Sequence, residues 1–126
     1  MALGRAQVQQ GFDDPRVLLG DRLREGSVYR LLADHGQVMF ADDYFADLYT
    51  ESVKGRPTVA ARVVATVMLL QAFEGLSDRE ACDRLEVDLR WQAAAGADAR
   101  YRAFHPTVLV GMRAKAARLG PAAAPV

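Results

Sequence analysis

The sequence predicts an all-α fold, a small helical bundle built around one central apolar helix. Apolar side chains recur at helical spacing, these stretches are bounded by capping residues and glycines, and no alternating strand pattern is found. The chain has 126 residues, 51% of them hydrophobic and 25% charged. This length and composition suit one globular domain with its own core, and are short for two domains.

The first clear helix is predicted downstream of a loosely ordered leader. Residues 1–26 are assigned to the leader, because the first 14 are polar and Gly20 weakens the helical turn that can form after Pro15. Ser27 can then cap a helix that is predicted to end at Gly36.

A second short helix is expected next, with aromatic and apolar residues at helical spacing over residues 44–49. Asp42 and Asp43 precede this helix, and Asp47 lies within it, four positions after Asp43 and on the same helix face. They are typical metal ligands, but aspartate is also a common helix cap and suits the helix dipole. We interpret them as a cap and a solvated face.

The strongest element is the helix predicted over residues 58–74. Residues 54–57 break the chain before it, Thr58 can cap it, and Gly75 ends it. Its apolar residues cover nearly every face, which is typical of a helix in the middle of a bundle. We therefore expect this helix to be central.

Two more helices follow after very short turns. Ser77 and Glu80 have the spacing of a capping box. Asp88 can cap the next helix, and Gly96 can end it. The two helices are predicted over residues 77–85 and 88–95.

Three helices joined by two short turns, 58–74, 77–85 and 88–95, are typical of a helix-turn-helix-like trio. In that geometry the third helix would enter the major groove of DNA. A structural three-helix core is the alternative, since helical bundles with short loops are common. The third helix is rich in alanine, carries a single cation, and is expected to pack Trp91 inward.

The last helix is predicted over residues 107–119, with Pro106 suited to the start of a helix. The tail, residues 120–126, consists of alanine, proline, glycine and valine and is expected to be disordered. The helical domain is therefore assigned to residues 27–119.

The charges are balanced overall but separated along the chain. Sixteen basic and sixteen acidic residues give a net charge of zero, which excludes a generally basic nucleic-acid coat or an acidic tail protein. Residues 1–53 carry five basic and nine acidic side chains, and residues 54–126 carry eleven basic and seven acidic ones. The balance is therefore −4 before residue 54 and +4 after it, and no acid follows Asp98.

The remaining reactive side chains do not form a recognisable site. Cys82 is the single cysteine, so an intrachain disulfide and a Cys-based zinc site are excluded and a reducing cytoplasm is expected. His35 and His105 are far apart and lack a partner motif. Glu80 is interpreted as a cap partner. The longest apolar stretch, residues 63–70, is too short to span a membrane.

Five stretches resemble one family, the N-terminal (InsH-type) domain of bacterial insertion-sequence transposases of the DDE type. The most specific are Gly55-Arg56-Pro57 and the run from Leu69 to Ala81, which reads LLQAFEGLSDREA. Residues 88–91, 40–48 and 104–109 agree with the same family. The resemblance covers about residues 27–118, and residues 110–112 depart from the family pattern.

The resemblance implies recognition of double-stranded DNA at the ends of a mobile element. In such transposases a following RNase-H-like domain supplies three acidic residues that hold two divalent metal ions for strand cleavage and joining. The chain stops where that domain is expected to begin. We therefore expect a DNA-binding part that is not itself an enzyme, with no cofactor or metal of its own.

Eight basic residues are the candidate DNA contacts. Arginine suits this role because its planar fork can read guanine or clamp a phosphate. The candidates come from the trio, from the break before the central helix and from the last helix: Arg79, Arg84 and Arg90; Lys54 and Arg56; Arg113, Lys115 and Arg118.

An alternative function is a protein-interaction fragment. The apolar central helix can complete its burial across a dimer, formed with a second copy or with a full-length transposase whose activity the fragment would modulate. A decayed remnant of a transposase is the third interpretation.

Overall fold

Six helices make up the parts of the computed structural model that are described, residues 13–40 and 60–119. They are α1 Pro15–Leu19 (continued by a 3-10 turn, Gly20–Arg22), α2 Val28–Met39, α3 Ala61–Glu74, α4 Asp78–Val87, α5 Leu89–Ala95 and α6 Thr107–Leu119. No strand occurs in those two ranges. The prediction of a small all-α bundle is confirmed.

The helix ends follow the local sequence signals. The Ser77 hydroxyl accepts from the Glu80 N–H at 3.1 Å and the Glu80 carboxylate accepts from the Ser77 N–H at 2.9 Å, which is the predicted capping box. The Asp88 carboxylate accepts a backbone N–H of α5 at 2.8 Å. Gly75 and Gly96 end α3 and α5 with φ of 70° and 74°, a left-handed conformation that favours glycine.

Three helix boundaries differ from the prediction, and in the smallest of these differences α4 ends at Val87 rather than at residue 85. α2 is capped by Ser27 as expected, but it continues through Gly36, which is buried inside the helix. A Cβ atom on Gly36 would come within 3.0 Å of the Arg62 side chain, so this glycine permits close packing rather than ending the helix. α3 begins at Ala61, later than predicted, and the expected cap Thr58 lies outside the described residues.

The centre of the fold is α5. All residues from 91 to 95 are buried, and α1, α2, α3 and α4 pack against this helix. α3 packs beside α5 and contributes many of the buried apolar side chains. It is not enclosed on every side, because Leu69 is 36% and Phe73 63% exposed. The alanines of α5 account for this arrangement, because small side chains leave room for several neighbours in a close-packed interior.

Residues 13–26 are packed onto the rest of the fold. Pro15 and Leu23 are buried, α1 contacts α5, and the Ala99 N–H donates to the Asp13 carbonyl at 2.7 Å. The helical turn after Pro15 is present as α1. This stretch therefore differs from the loose leader that the sequence predicts, because its partner surface comes from residues far along the chain.

Several predictions lie outside the described residues. They concern residues 1–12, the helix around 42–49, the break at 54–57 and the tail 120–126. No helix in the two described ranges is long and apolar enough to cross a membrane.

Candidate nucleic-acid interface

The Glu74 carboxylate, at the end of α3, joins three other helices. It accepts hydrogen bonds from the Trp91 indole N–H at 2.9 Å, from the Tyr29 hydroxyl and from the Arg84 guanidinium. Burial acts to raise the pKa of this carboxyl, but those hydrogen bonds and the Arg84 charge hold the pKa below its ordinary value. Burial and the bond to Glu74 raise the pKa of Tyr29 to about 12. Glu74 therefore stays ionised at neutral pH and orients all three donors.

Two predicted DNA contacts, Arg84 and Arg90, are engaged within the fold. Arg84 pairs with Glu74 and lies over the tryptophan ring of α5, 5.9 Å from its centroid. Arg90 pairs with Asp88 at 3.0 Å and lies 4.5 Å from the centroid of the Tyr29 ring. The Arg84 guanidinium therefore holds α4 to α3 and α5, and the Arg90 guanidinium holds α5 to α2.

Arg113 is engaged in the same way. It pairs with Asp78 at 2.7 Å and donates to Gln71 at 3.3 Å, which ties α6 to α3 and to the start of α4. Hydrogen bonds from Arg113 and Gln71 hold the pKa of the Asp78 carboxyl below its ordinary value. A DNA phosphate would have to replace this carboxylate to bind Arg113.

The buried position of α5 bears on the two interpretations of the helical trio. α3, α4 and α5 are joined by the predicted short turns. A helix that reads bases must lay an exposed face in the groove, whereas α5 is enclosed and Arg90, with a side chain that is 45% exposed, is its one exposed residue. This enclosure favours the structural-core interpretation, and the entry of α5 into a groove stays a prediction.

Arg79 is exposed on α4 and forms no ion pair with a residue in the described ranges. It borders a cleft of about 320 Å³ between α4 and residues 103–106. Lys115 is half-buried on α6. Lys54 and Arg56 lie outside the described residues, as does the side chain of Arg118.

Two highly exposed arginines that the sequence analysis missed lie between α5 and α6. The side chains of Arg100 and Arg102 are 82% and 92% exposed. Their ion pairs are long, 3.3 Å from Arg100 to Asp13 and 3.9 Å from Arg102 to Glu86. The acid-free sequence that starts at Arg100 was the signal that could have identified them.

The backbone of this connection is fixed at both ends. The Ala99 N–H donates to the Asp13 carbonyl at 2.7 Å, and the Ala103 N–H donates to the Glu86 carboxylate at 2.9 Å. Between them, Tyr101 packs against the core, and burial raises the pKa of its hydroxyl. We call residues 99–103 the arginine loop.

The described residues contain no group of three or more His, Cys, Asp or Glu that could hold a metal ion. Cys82 is buried, and burial raises the pKa of its thiol. The His105 ring accepts the Thr107 N–H at 3.2 Å at the start of α6. These side chains have structural roles.

Comparison with models of protein families matches residues 17–115 to a transposase domain, DUF772. The chain belongs to this transposase domain family. No curated protein and no solved structure matches it. The matched range begins in α1 and ends in α6, so the transposase domain includes the N-terminal helix as well as the arginine loop.

Proposed function

We propose that this transposase domain binds double-stranded DNA at the ends of an insertion sequence in the cytoplasm. Strand cleavage and joining are left to a separate DDE-type catalytic domain. The observation that carries the proposal is the exposure of Arg79, Arg100 and Arg102 in the basic half of a domain from a transposase family. Family membership links the domain to transposition, and exposed guanidinium groups suit phosphate contact.

Four of the predicted candidates divide into two groups by their present partners. Arg79 can reach DNA without breaking an ion pair to the described residues. Arg84, Arg90 and Arg113 would first have to leave a carboxylate, so their main contribution is to hold the helices that carry the exposed cations.

A salt-titrated gel-shift assay tests the proposal. We expect the chain to bind a duplex from the ends of its element more tightly than a scrambled duplex of equal length. Both affinities should fall as salt rises, since phosphate contacts release counterions. With Mg²⁺ or Mn²⁺ added, the DNA should stay intact.

End recognition, DNA binding and the absence of catalysis in this chain can each be disproved by a different result. Equal affinity for the two duplexes would remove end recognition, and no binding at low salt would remove DNA binding. Strand cleavage or transfer by the chain alone would overturn the assignment of catalysis to another domain.

A second role, pairing with another copy of this chain, is favoured by one apolar face. A groove of about 620 Å³, lined in part by Val28, Leu31 and Phe73, lies beside the exposed Phe73 ring. In a two-fold interface the same surface of both copies is in contact, so this surface must carry both the protruding ring and the groove that receives it. The nearby Asp34 is already paired with Arg16 and Arg30 at 2.7 and 3.0 Å, so two such faces can meet without strong charge repulsion.

The pairing predicts a concentration-dependent mass in size-exclusion chromatography with light scattering. Phe73→Ser should shift the equilibrium to monomer, because the ring would fill the groove of the second copy. Val87→Ser is the matched control, since Val87 is 78% exposed on α4. A monomer at every concentration, or equal effects of the two variants, would contradict the pairing.

A further inference from the structure

Arg100 and Arg102 are held to the fold less tightly than the other paired arginines. Their ion pairs measure 3.3 and 3.9 Å on side chains that are almost fully exposed. The pair of Arg113 measures 2.7 Å and has additional support from Gln71. The pairs of Arg100 and Arg102 are long and place the arginine largely in solvent, and such surface pairs contribute little to stability, so a phosphate can replace the two carboxylates with little loss.

The arginine loop also presents its two charges in a fixed arrangement. The N–H groups of Ala99 and Ala103 are both hydrogen-bonded to other parts of the fold. Tyr101 is turned to the core between the two arginines, which leaves both guanidinium groups on the outside. Because the backbone is already ordered, binding needs to order only two side chains.

The position of the arginine loop favours phosphates over base edges. Base edges are read by a helix or a ribbon that enters a groove. The loop is instead held against the fold by its hydrogen bonds to Asp13 and to Glu86 of α4. Most protein–DNA hydrogen bonds go to phosphate and sugar oxygens, and arginine is among the side chains that make them.

We infer that Arg100 and Arg102 together contact the backbone phosphates of duplex DNA and supply affinity that does not depend on base sequence. The inference rests on the proposed function and adds that the two arginines act as one unit, that they bind the DNA backbone rather than base edges, and that they exchange their carboxylate partners for phosphates. The carboxylates of Asp13 and Glu86 act as local counterions, which the phosphates displace.

The test is the double variant Arg100→Ala/Arg102→Ala, measured by fluorescence anisotropy on element-end and scrambled duplexes over a salt series. Losing two phosphate contacts should reduce the slope of log K against log salt by about 1.8. At low salt the affinity should fall about tenfold on both duplexes alike. The double Lys variant should retain most of the slope.

Two further variants sharpen the test. Arg22→Ala/Arg24→Ala removes the same charge from two exposed arginines after α1 and should leave the slope unchanged. Glu86→Gln keeps an acceptor for the Ala103 N–H but removes the counterion of Arg102. It should therefore tighten binding about two- to fivefold.

The outcomes separate this inference from the proposed function. If the wild type and Arg100→Ala/Arg102→Ala bind DNA with the same slope of log K against log salt, the inference is overturned. DNA binding by the domain would then still stand. If Arg100→Ala/Arg102→Ala loses affinity only for the element-end duplex, the two arginines read bases. If Arg22→Ala/Arg24→Ala loses affinity and salt slope to a similar extent, the effect is one of general charge. Either result overturns the inference. If the wild type binds no duplex at low salt, the proposed function itself fails.

Discussion

Replacing Glu74 by alanine is expected to lower the free energy of unfolding by about 3 kcal/mol. The variant removes the acceptor that Tyr29, Arg84 and Trp91 share. Trp91 is fully buried, so its indole N–H would be left without a partner, and the Arg84 charge would lose its carboxylate. Chemical denaturation followed by fluorescence measures the effect, since Trp91 is the single tryptophan.

Glu25→Ala is the matched control for this variant. Glu25 is exposed, and substitutions at such positions change stability by about 0.5 kcal/mol or less. Equal losses in the two variants would contradict the role of Glu74.

The pH dependence of stability gives a second readout of the same carboxylate. The pKa of Glu74 is lower in the folded chain than its ordinary value of 4.5. Its contribution is therefore present above about pH 4.5 and is lost as the pH falls through the lower folded pKa. The wild type should lose stability more steeply than Glu74→Gln in acid, while the other carboxylates titrate alike in both proteins.

Gly96→Ala is expected to lower the free energy of unfolding by about 3 kcal/mol. A left-handed conformation is strained for a residue with a Cβ by about 1–2 kcal/mol, and Gly96 has a φ of +74°. The added Cβ would also lie 2.6 Å from the Arg62 guanidinium. That group donates to the carbonyls of Leu32 and Ala94 at 3.1 and 3.2 Å, so moving it disturbs α2 and α5.

Gly75→Ala provides a close control for Gly96→Ala. Gly75 has a φ of +70°, and a Cβ there would meet nothing within 4 Å, so only the backbone strain of about 1–2 kcal/mol remains. The difference between the two variants in thermal or chemical unfolding measures the contact with Arg62. It should disappear when both variants are made in an Arg62→Ala background, and equal losses in the presence of Arg62 would show that the contact relaxes freely.

The helices and their ends could be predicted because their signals are local. Ser27, Ser77 and Asp88 cap helices, and Gly75 ends one, through backbone groups a few residues away. The central place of α5 could not be predicted in this way. A short alanine-rich helix has little hydrophobic pattern, and its burial depends on α1 and α2, which are distant in sequence.

The separation of charge along the chain was visible in the sequence, but the free and the engaged arginines were not distinguishable there. Arg113 pairs with Asp78, 35 positions away, and Arg84 reaches Glu74 across a turn. Such pairs depend on how the helices pack. Arg100 and Arg102 stand in irregular structure, where helical periodicity gives no information about exposure.

The enclosure of α5 also determines the order in which this chain can fold during synthesis. α1 and α2 leave the ribosome before α5 has been made, so the surfaces that they bury against α5 lack this partner until residue 95 emerges. Contacts between residues this far apart slow folding. A nascent chain that terminates before α5 therefore exposes its apolar faces and becomes a target for chaperones and proteases.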